Sequence, residues 1–439
     1  MGPKHLVTIL VLLALAAPAA PAHAGGIVSV CDEAHLRTAL SGGGTVTFSC
    51  SGTITLTAEI TIAADTTING SGQTVTISGN NAVRVFTVNS GVALNLNEVT
   101  IANGSAGSGN GGGIANDGTL SVSNSTFSGN NANCDYCGGG GIGNAGMLTV
   151  SNSTFSGNSV GYYGVGGGIR NSSGVATVSN STFSGNIGIE SSGGIYNHDG
   201  ATLTVDNSTF SGHTNGCIHN GGTLTVRNST FFDNYYSGGI TNAGALTLSN
   251  STFSGNTDNN HGGGISNDGA LTVVNSTFSG NYAATVGGGI YNSVYGTVIV
   301  SNSTFAGNRS EGGGGGIFNA GTVTLKNTIV TNSPSGGNCA GPMTDGGGNL
   351  SYPDTTCPGI NSDPLLGPLQ NNGGPTQTMA LGPGSAALDA ADDAICAAAP
   401  VNNLDQRGVS RPRGPRCDIG AVEQQPYRKT WLAIIVHSQ

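Results

Sequence analysis

Charge is scarce in this sequence: Asp, Glu, Lys and Arg together make up 8% of its 439 residues. The 13 Lys and Arg residues are outnumbered by 23 Asp and Glu residues, which gives a formal net charge of −10. Proteins that bind nucleic acid through its phosphates normally present a basic surface. The composition therefore argues against a nucleic-acid partner, and it disfavours anionic polysaccharides unless the fold creates a local basic patch.

Long apolar runs are also lacking, with one exception from Leu6 to Ala17. This run follows Lys4 and precedes Ala22-His23-Ala24, which is the order of a signal peptide with its cleavage site. An uncleaved membrane anchor is the alternative, but the run is shorter than the ~20 residues that a spanning helix needs. We expect a secreted, extracellular protein, free or attached to a cell surface, without a transmembrane span in the mature chain.

Glycine, by contrast, is abundant, with 76 residues. Low charge with much glycine suits a disordered chain, but a phrase repeats here. GGGIANDGTLSVSNSTFSGN begins at Gly111 and returns in altered form down to GGGIFNAGTVTLKNTIVTN, which begins at Gly314. One phenylalanine marks each unit, at spacings of 21 to 28 residues: Phe127, Phe155, Phe183, Phe210, Phe231, Phe253, Phe278 and Phe305, with Ile329 in the ninth place.

The repeat predicts an all-β solenoid. Apolar and polar residues alternate in Leu120-Ser121-Val122, as in a strand, and Asn116-Asp117-Gly118 is typical of a tight turn. Units of this length suit one coil of a three-sided, right-handed parallel β-helix whose coils bury their apolar faces by stacking. A left-handed β-helix would show hexapeptide repeats and a leucine-rich repeat its leucine pattern, and neither is present.

Two columns of asparagine follow from the alignment of the units. Stacked at the ~4.8 Å spacing of β-strands, identical amides can form hydrogen bonds along a column. The second column also reads Asn-Ser-Thr, an acceptor sequence for N-glycosylation that would need exposed side chains; we favour ladders for both columns. The first column is Asn116, Asn144, Asn171, Asn197, Asn220, Asn242, Asn267, Asn292 and Asn319, and the second is Asn124, Asn152, Asn180, Asn207, Asn228, Asn250, Asn275, Asn302 and Asn327.

Nine cysteines in an exported protein indicate disulfides. Sequence proximity suggests four pairs and leaves Cys217 unpaired: Cys31–Cys50, Cys134–Cys137, Cys339–Cys357 and Cys396–Cys417. The Cys134-x-x-Cys137 pair has two alternative interpretations, a redox-active pair or half of a metal site.

The length of the unit varies mainly between its phenylalanine and the next isoleucine, which places the insertions at one corner of the solenoid. Repeat proteins often bind at such a corner. The aromatic residues of these loops are the candidate binding residues: Tyr136, Tyr162, Tyr163, Tyr235, Tyr236, His261 and Tyr282. Such rings can stack on sugars or serve ordinary loop packing, and both interpretations remain open.

An outward threonine column has two interpretations as well. It runs from Thr126 to Thr328 and favours either Thr–Thr pairing between strands or a flat array that orders water. Acidic residues are scattered, and no coil carries a D-x-D pair. We therefore predict no catalytic residue, no metal site and no cofactor. The repeat cations have ordinary expected partners, Tyr196 for Arg170 in a cation–π contact and Asp206 for Arg227 in an ion pair.

Three stretches resemble known families. CDEAHLRTAL…TTINGSG resembles the start of bacterial exported β-helix proteins, and the GGGIxN…STFSGN units look like polymorphic outer membrane protein-type repeats. The segment from Asn361 to Glu423 resembles the choice-of-anchor Q domain. The resemblance implies a surface-displayed or secreted β-helix with a pectate-lyase-like superhelix. It supplies no catalytic residues, because members of the family mostly lack a defined biochemistry.

The chain accordingly divides into five parts. These are a signal peptide (1–24), an N-terminal cap with the first coils (25–100), β-helix repeats (101–337), a choice-of-anchor Q-like region (338–425) and a tail (426–439). Cys31 to Leu40 is expected to form a short capping helix, and the tail is either a sorting tag or a last strand or cap. We expect a non-catalytic protein that binds polysaccharide or cell-surface components through the variable corner, with a polysaccharide lyase or glycoside hydrolase as the alternative.

Overall fold

The computed structural model describes residues 25–189 and 191–424. The predicted signal peptide and the predicted tail, 1–24 and 426–439, lie outside these residues. No helix among the described residues is both long and apolar enough to cross a membrane.

The predicted right-handed parallel β-helix is confirmed. Each coil contributes one strand to each of three long parallel sheets, which we name after their inward residues. The Ile sheet consists of Ile60–Ile62, Phe86–Val88, Ile114–Asn116, Ile142–Asn144, Ile169–Asn171, Ile195–Asn197, Ile218–Asn220, Ile240–Asn242, Ile265–Asn267, Ile290–Asn292, Ile317–Asn319 and Cys339–Ala340.

The Val sheet follows the Ile sheet along each coil. It consists of Gly26–Val28, Gly44–Phe48, Thr66–Asn69, Ala93–Asn97, Thr119–Ser123, Met147–Ser151, Val175–Ser179, Thr202–Asp206, Thr223–Arg227, Ala245–Ser249, Ala270–Val274, Thr297–Ser301, Thr322–Lys326 and Thr344–Asp345.

The Phe sheet completes the coil. It consists of Gly52–Thr55, Val75–Ser78, Thr100–Ala102, Thr126–Ser128, Thr154–Ser156, Thr182–Ser184, Thr209–Ser211, Thr230–Phe232, Thr252–Ser254, Thr277–Ser279, Thr304–Ala306, Ile329–Thr331, Leu350–Tyr352 and Ile360–Asn361. Solenoid strands therefore continue beyond residue 337.

Short elements decorate these sheets. Two small parallel sheets lie at the variable corner, Ser105–Ala106 with Asn131–Ala132 and Ser159–Val160, and Thr257–Asp258 with Tyr282–Ala283 and Arg309–Ser310. An antiparallel pair, Leu366–Gln370 and Thr378–Leu381, and two helices, Glu33–Leu40 and Asp393–Ala397, complete the described elements.

The core is a stack of like residues. Ile114, Leu120, Val122 and Phe127 are each at most 1% exposed. From Phe127 to Phe305, the rings of successive coils stack with centroids 4.5–4.9 Å apart. The glycines before each isoleucine allow this packing. A Cβ on Gly141, for example, would lie 2.7 Å from a backbone oxygen of the next coil and 3.1 Å from the ring of Phe155.

The first asparagine column is a continuous buried ladder. Each side-chain Nδ2 from Asn116 to Asn292 donates to Oδ1 of the next member, at 2.7–2.9 Å. Additional bonds to backbone oxygens, such as that from Asn242 to Gly244, satisfy the turn between the Ile and Val sheets. The ladder explains why asparagine recurs there, because the amide supplies both a donor and an acceptor in a buried place.

The prediction of a ladder in the second column is wrong. Its nine members stand at the corner between the Val and Phe sheets with φ of 45–51°, in the left-handed region that asparagine tolerates better than most residues. Among them, only Asn207 and Asn250 donate to the preceding member. Asn124, Asn152, Asn180 and Asn207 are exposed, as glycosylation acceptors would need to be.

A third column, which the sequence analysis missed, forms the other buried ladder. Its members follow the Phe sheet and are fully buried: Asn130, Asn158, Asn186, Asn234, Asn256, Asn281 and Asn308. Their amides bond in two runs, from Asn130 to Asn186 and from Asn234 to Asn308. His213 occupies the place between the two runs.

The four cysteine pairs suggested by proximity are disulfide-bonded, and Cys217 is free and buried. The expected N-terminal helix begins at Glu33, two residues later than expected, with Asp32 accepting a hydrogen bond from the backbone N of His35. It packs Leu36 and Ala39 over the first coil. Beside it, the Glu33 carboxylate accepts from the backbone N of Thr57 at 2.9 Å.

Residues 363–424, which we call the strap, run back along the outside of the Phe sheet. Thr252 Oγ1 donates to the Gln377 oxygen at 2.6 Å, Thr277 Oγ1 to Gln406 at 2.7 Å, and Thr304 Oγ1 accepts from the Ala421 backbone at 3.0 Å. These three threonines are at most 1% exposed. The strap therefore covers the last third of the outward threonine column and leaves Thr126 to Thr230 open.

Candidate binding surface at the variable corner

The variable corner connects the Phe sheet to the Ile sheet. The connection is shortest from Phe210 to Ile218, at 8 residues, and longest from Phe127 to Ile142, at 15 residues. In the unit of Phe127 it starts with Gly129 at a φ of 61° and then buries Asn130. Because the buried ladder fixes the start of each connection, the extra residues can only project outward.

Three of the predicted binding residues form one cluster on adjacent coils. Tyr136, Tyr162 and Tyr163 are 72%, 66% and 44% exposed. The rings of Tyr136 and Tyr163 stack with centroids 5.2 Å apart, and Tyr162 meets Tyr163 edge-on at 5.2 Å. The Cys134–Cys137 disulfide closes the first loop. The sequence places these tyrosines in the loops, and the structure brings them together.

A backbone contact network positions this cluster. The Tyr136 backbone N donates to the Tyr162 oxygen at 3.3 Å. Arg170 Nη1 donates to the Tyr136 oxygen at 2.9 Å and to Asn110 Oδ1 at 2.8 Å. Burial lowers the pKa of Arg170, and its buried Nε has no partner among the described residues. A partly buried cation therefore lies directly beneath the first tyrosine loop.

A second pair of tyrosines projects three coils further along. Tyr235 and Tyr236 are 48% and 55% exposed, and three coil rises separate them from the loop of Tyr163 by about 14 Å. Between the two groups lie the exposed Ile187 and Ile189. The two tyrosine groups are therefore separated by a distance that a short oligosaccharide can span.

Three of these tyrosines have a left-handed backbone. The φ angles are 63° at Tyr136, 55° at Tyr163 and 73° at Tyr236. For a residue as bulky as tyrosine this region is unfavourable by roughly 1–2 kcal/mol. Exposed rings gain little from burial that would offset such strain, so a stabilising role in the fold does not explain why tyrosine stands at these positions.

His261 and Tyr282 do not belong to the exposed groups. The His261 ring stacks on Tyr291 at 4.6 Å, and its Nδ1 contacts Thr285 Oγ1. The guanidinium carbon of Arg309 lies 4.5 Å from the centre of the Tyr282 ring. Both rings therefore already have a ring or cation of this chain against them. For these two residues loop packing is the better interpretation, and the prediction of direct ligand contact does not carry over to them.

A column of residues beside the corner was not predicted from the sequence. The middle residue of each Ile-sheet strand points outward, and in successive coils this column contains Arg170, Tyr196 and His219. The Tyr196 and His219 rings stack at 4.8 Å with an interplanar angle of 3°. Burial raises the pKa of Tyr196 and lowers that of His219. The signal was available, because the variable residue of the I-x-N motif is the only one that faces solvent.

Two expected partnerships of cations are wrong. Arg170 is in register with Tyr196, but its guanidinium reaches back to Asn110 and Tyr136 instead of lying over the ring. Arg227 is in register with Asp206, yet the two side chains form none of the ion pairs found in the described part of the chain. Asp206 accepts from Asn228 Nδ2 at 2.9 Å instead. Register alone did not determine where these long side chains point.

Acidic residues remain dispersed across the surface. Within residues 25–189 and 191–424, no group of three or more His, Cys, Asp and Glu residues is placed to hold a metal ion. One carboxyl at the corner is unusual: Asp258 is 6% exposed, and burial raises its pKa from 3.8 to about 6. Its Oδ1 accepts a hydrogen bond from the Asn260 backbone at 2.6 Å.

A family comparison supports the architecture over part of the chain. A family model described as "Right handed beta helix region" matches residues 168–334. Among solved structures, the PL6 family polysaccharide lyase Pedsa3628 from Pseudopedobacter saltans is similar at 14% identity and a TM-score of 0.35, over 74% of this chain and 92% of that one. No curated protein matches the chain.

Proposed function

We propose that this β-helix is a secreted or cell-surface protein that binds carbohydrate at the tyrosine groups of its variable corner, and that it serves adhesion rather than catalysis. The observation that carries the proposal is the left-handed backbone of the exposed Tyr136, Tyr163 and Tyr236. Strain at exposed aromatic residues is best explained by a ligand that the rings contact.

The chemistry of the corner favours a sugar. A tyrosine ring offers an apolar face to the C–H side of a pyranose and a hydroxyl for its polar edge, and it loses little side-chain entropy on binding. Tyr162 and Tyr235 are 66% and 48% exposed, and charged residues make up only 8% of the chain. The ligand is therefore expected to bind mainly by stacking and neutral hydrogen bonds.

The proposed location rests on separate features. The chain has four disulfides, which suit an oxidising compartment outside the cell. The apolar run at the N-terminus and the family resemblance of the repeats favour export. Together they support polysaccharide or cell-surface components as partners.

One observation favours the alternative, a polysaccharide lyase or glycoside hydrolase. Arg170, Tyr196 and His219 stand in successive coils of one column. A cation, a phenol and an imidazole are the kinds of group that proton abstraction beside a carboxylate uses. However, Tyr196 and His219 cover each other's ring faces, and Arg170 is engaged by backbone and amide oxygens.

A glycan array followed by titration of the hits tests the binding proposal. Tyr136→Ala and Tyr235→Ala are each expected to weaken binding about five- to tenfold, because each removes one stacking ring. Tyr295→Ala is the matched control, since Tyr295 is 86% exposed but lies at the turn between the Ile and Val sheets. Equal effects of all three substitutions, or none, would contradict the proposal.

The same hits decide between binding and catalysis. Incubation of the purified chain with each glycan should release neither new reducing ends nor unsaturated products. Release that Tyr196→Phe or His219→Ala abolishes would replace the adhesion proposal with the enzyme.

A further inference from the structure

A recess of about 430 Å³ lies where the strap meets the open part of the Phe sheet. Thr209, Thr230, Phe232 and Ser254 form its floor, and residues 371–377 of the strap form its wall, with Pro375 and Gln377 toward the recess. It lies on a different sheet from the tyrosine groups and shares no residue with them. Its volume falls within the ordinary range of small-molecule sites.

Phe232 is the unusual residue of this floor. It is in register with Ser211 on one side and Ser254 on the other, so an aromatic ring replaces the serine of both neighbouring coils. The core of this coil is already supplied by the fully buried Phe231, while Phe232 is 36% exposed. The coil therefore does not need Phe232 for its packing.

The wall is held in place by the solenoid itself. Thr376 Oγ1 donates to the Asn250 oxygen at 3.0 Å, and Thr252 Oγ1 donates to the Gln377 oxygen at 2.6 Å. Behind them, Gln406 Nε2 donates to Thr376 Oγ1 at 2.9 Å. The recess is thus formed before any ligand enters, which reduces the entropy lost on binding.

The lining contains no ionisable side chain. The hydroxyl groups of Thr209, Thr230 and Ser254 take part in none of the side-chain hydrogen bonds found among the described residues, and the same holds for the Gln377 amide. The recess therefore combines uncommitted neutral donors and acceptors with one exposed aromatic face. A charged ligand would find no counter-ion there.

We propose that this recess is a second binding site, which takes the terminal unit of a neutral, hydroxyl-rich sugar chain with one ring face against Phe232. The remainder of the sugar chain lies along the exposed part of the threonine column, from Thr209 toward Thr126. In the other direction the strap covers Thr252, Thr277 and Thr304, so the groove is closed there. Closure at one end makes the site specific for a chain end.

The proposal does not depend on the tyrosine groups, and the experiment separates the two. Neutral cello-, manno-, xylo-, malto- and chito-oligosaccharides are titrated by calorimetry into the full chain, Phe232→Ser, Tyr136→Ala and the control Tyr295→Ala. Phe232→Ser restores the residue that both neighbouring coils carry, so the variant is expected to fold. It should weaken binding of a recognised oligosaccharide about tenfold, while Tyr295→Ala, which lies outside both sites, leaves that affinity unchanged.

Chain length provides the second readout. If the recess holds the terminal sugar unit, the affinity per mole of oligosaccharide rises with oligosaccharide length only until the floor of the recess is filled, and then stays constant. The proposal is overturned if none of these oligosaccharides binds, if Phe232→Ser binds as tightly as the unsubstituted chain, or if affinity per chain keeps rising with length as it would for internal binding. Loss of binding in Tyr136→Ala alone would assign the affinity to the corner and overturn the recess as well.

Discussion

His213 occupies a position that asparagine holds in the neighbouring coils of the buried ladder after the Phe sheet. Its Nδ1 lies 3.1 Å from the backbone N and 3.3 Å from the backbone oxygen of Asn186, and its Nε2 is buried without a hydrogen-bond partner among the described residues. The ring also interrupts the amide chain, because Asn186 has no amide oxygen to donate to and Asn234 receives no side-chain donor. This coil is therefore a weak point in an otherwise satisfied column.

We predict that His213→Asn raises the free energy of unfolding by about 1–2 kcal/mol at neutral pH, because it restores two amide bonds and removes a buried ring nitrogen that has no hydrogen-bond partner. The measurement is urea unfolding followed by circular dichroism. The reciprocal change Asn256→His should lower stability by a similar amount. A loss of stability in His213→Asn would show that the imidazole's packing near Phe210 outweighs the restored bonds.

The same residue predicts a pH dependence. Burial lowers the pKa of His213 from 6.5 to about 4, so the folded state holds a neutral ring where the unfolded chain takes up a proton. Its contribution is fully present above pH 6.5 and is lost as the pH falls toward 4. Unfolding free energies measured between pH 7 and 4 should therefore fall less steeply in His213→Asn than in the unsubstituted chain.

Asp258 predicts a pH dependence of stability with the opposite sign. Burial raises its pKa from 3.8 to about 6, so the folded state retains a proton that the unfolded chain releases. Stability from this group is fully present below pH 3.8 and is lost as the pH rises through about 6. Asp258→Asn keeps an oxygen for the Asn260 backbone and should be on the order of 2 kcal/mol more stable at pH 7.5. Equal stability of the two chains at pH 7.5 would contradict this.

At the scale of the element, the two asparagine columns that look alike in sequence differ in what they stabilise. Asn242→Ala removes the amide between Asn220 and Asn267, and it is expected to cost about 2–3 kcal/mol because two buried groups lose their partners. Asn152→Gly, in the exposed second column at a φ of 48°, should change stability by less than about 0.5 kcal/mol, because glycine accepts that backbone. Chemical denaturation measures both.

Equal losses from these two changes would restore the ladder interpretation of the second column.

The prediction from sequence failed there for a physical reason. A repeat identifies which residues stack above one another, but at a corner the sign of φ decides whether the side chain points inward or outward. Asn124 and Asn130 recur with equal regularity, and only the second is buried.

The strands themselves were predictable because period-two alternation and a single inward phenylalanine per coil leave one way to bury the apolar residues. The candidate site was predictable only in part. Loop composition placed Tyr136 and Tyr163 at the corner, but their stacking depends on loops of different length meeting across a coil. Tyr282 was assigned to the same surface, and the arginine next to it along the axis, Arg309, was not recognised as its partner.

In the whole molecule, the strap is bonded to two adjacent coils through Gln406. This fully buried side chain donates to Thr376 Oγ1 in the strap and to Thr252 Oγ1 in the solenoid, and it accepts from Thr277 Oγ1. Coils of a solenoid contact only their neighbours, and the Gln406 contacts should additionally couple the opening of the strap to that of the coils it covers.

We predict that Gln406→Ala increases amide hydrogen exchange in the strands from Thr252 to Ala306, by an amount equivalent to about 2–3 kcal/mol of lost protection. Exchange in the strands from Thr126 to Ser211 should stay as in the unsubstituted chain. Gln370→Ala is the control, because Gln370 is exposed on the strap. Uniform acceleration along the whole solenoid would instead indicate global destabilisation.

The positions at which the strap is anchored to the solenoid also limit how such a chain can evolve. Its anchors at Asn250, Thr277 and Thr304 lie on neighbouring coils, so their separation is set by the axial rise. Duplication of a unit upstream of Asn250 would lengthen the solenoid and its exposed surface by one rise, about 4.8 Å. It would leave the anchors of the strap intact. A duplication between Asn250 and Ile329 would shift the anchors relative to the strap. Duplications are therefore expected to be tolerated upstream of Asn250 and selected against between Asn250 and Ile329.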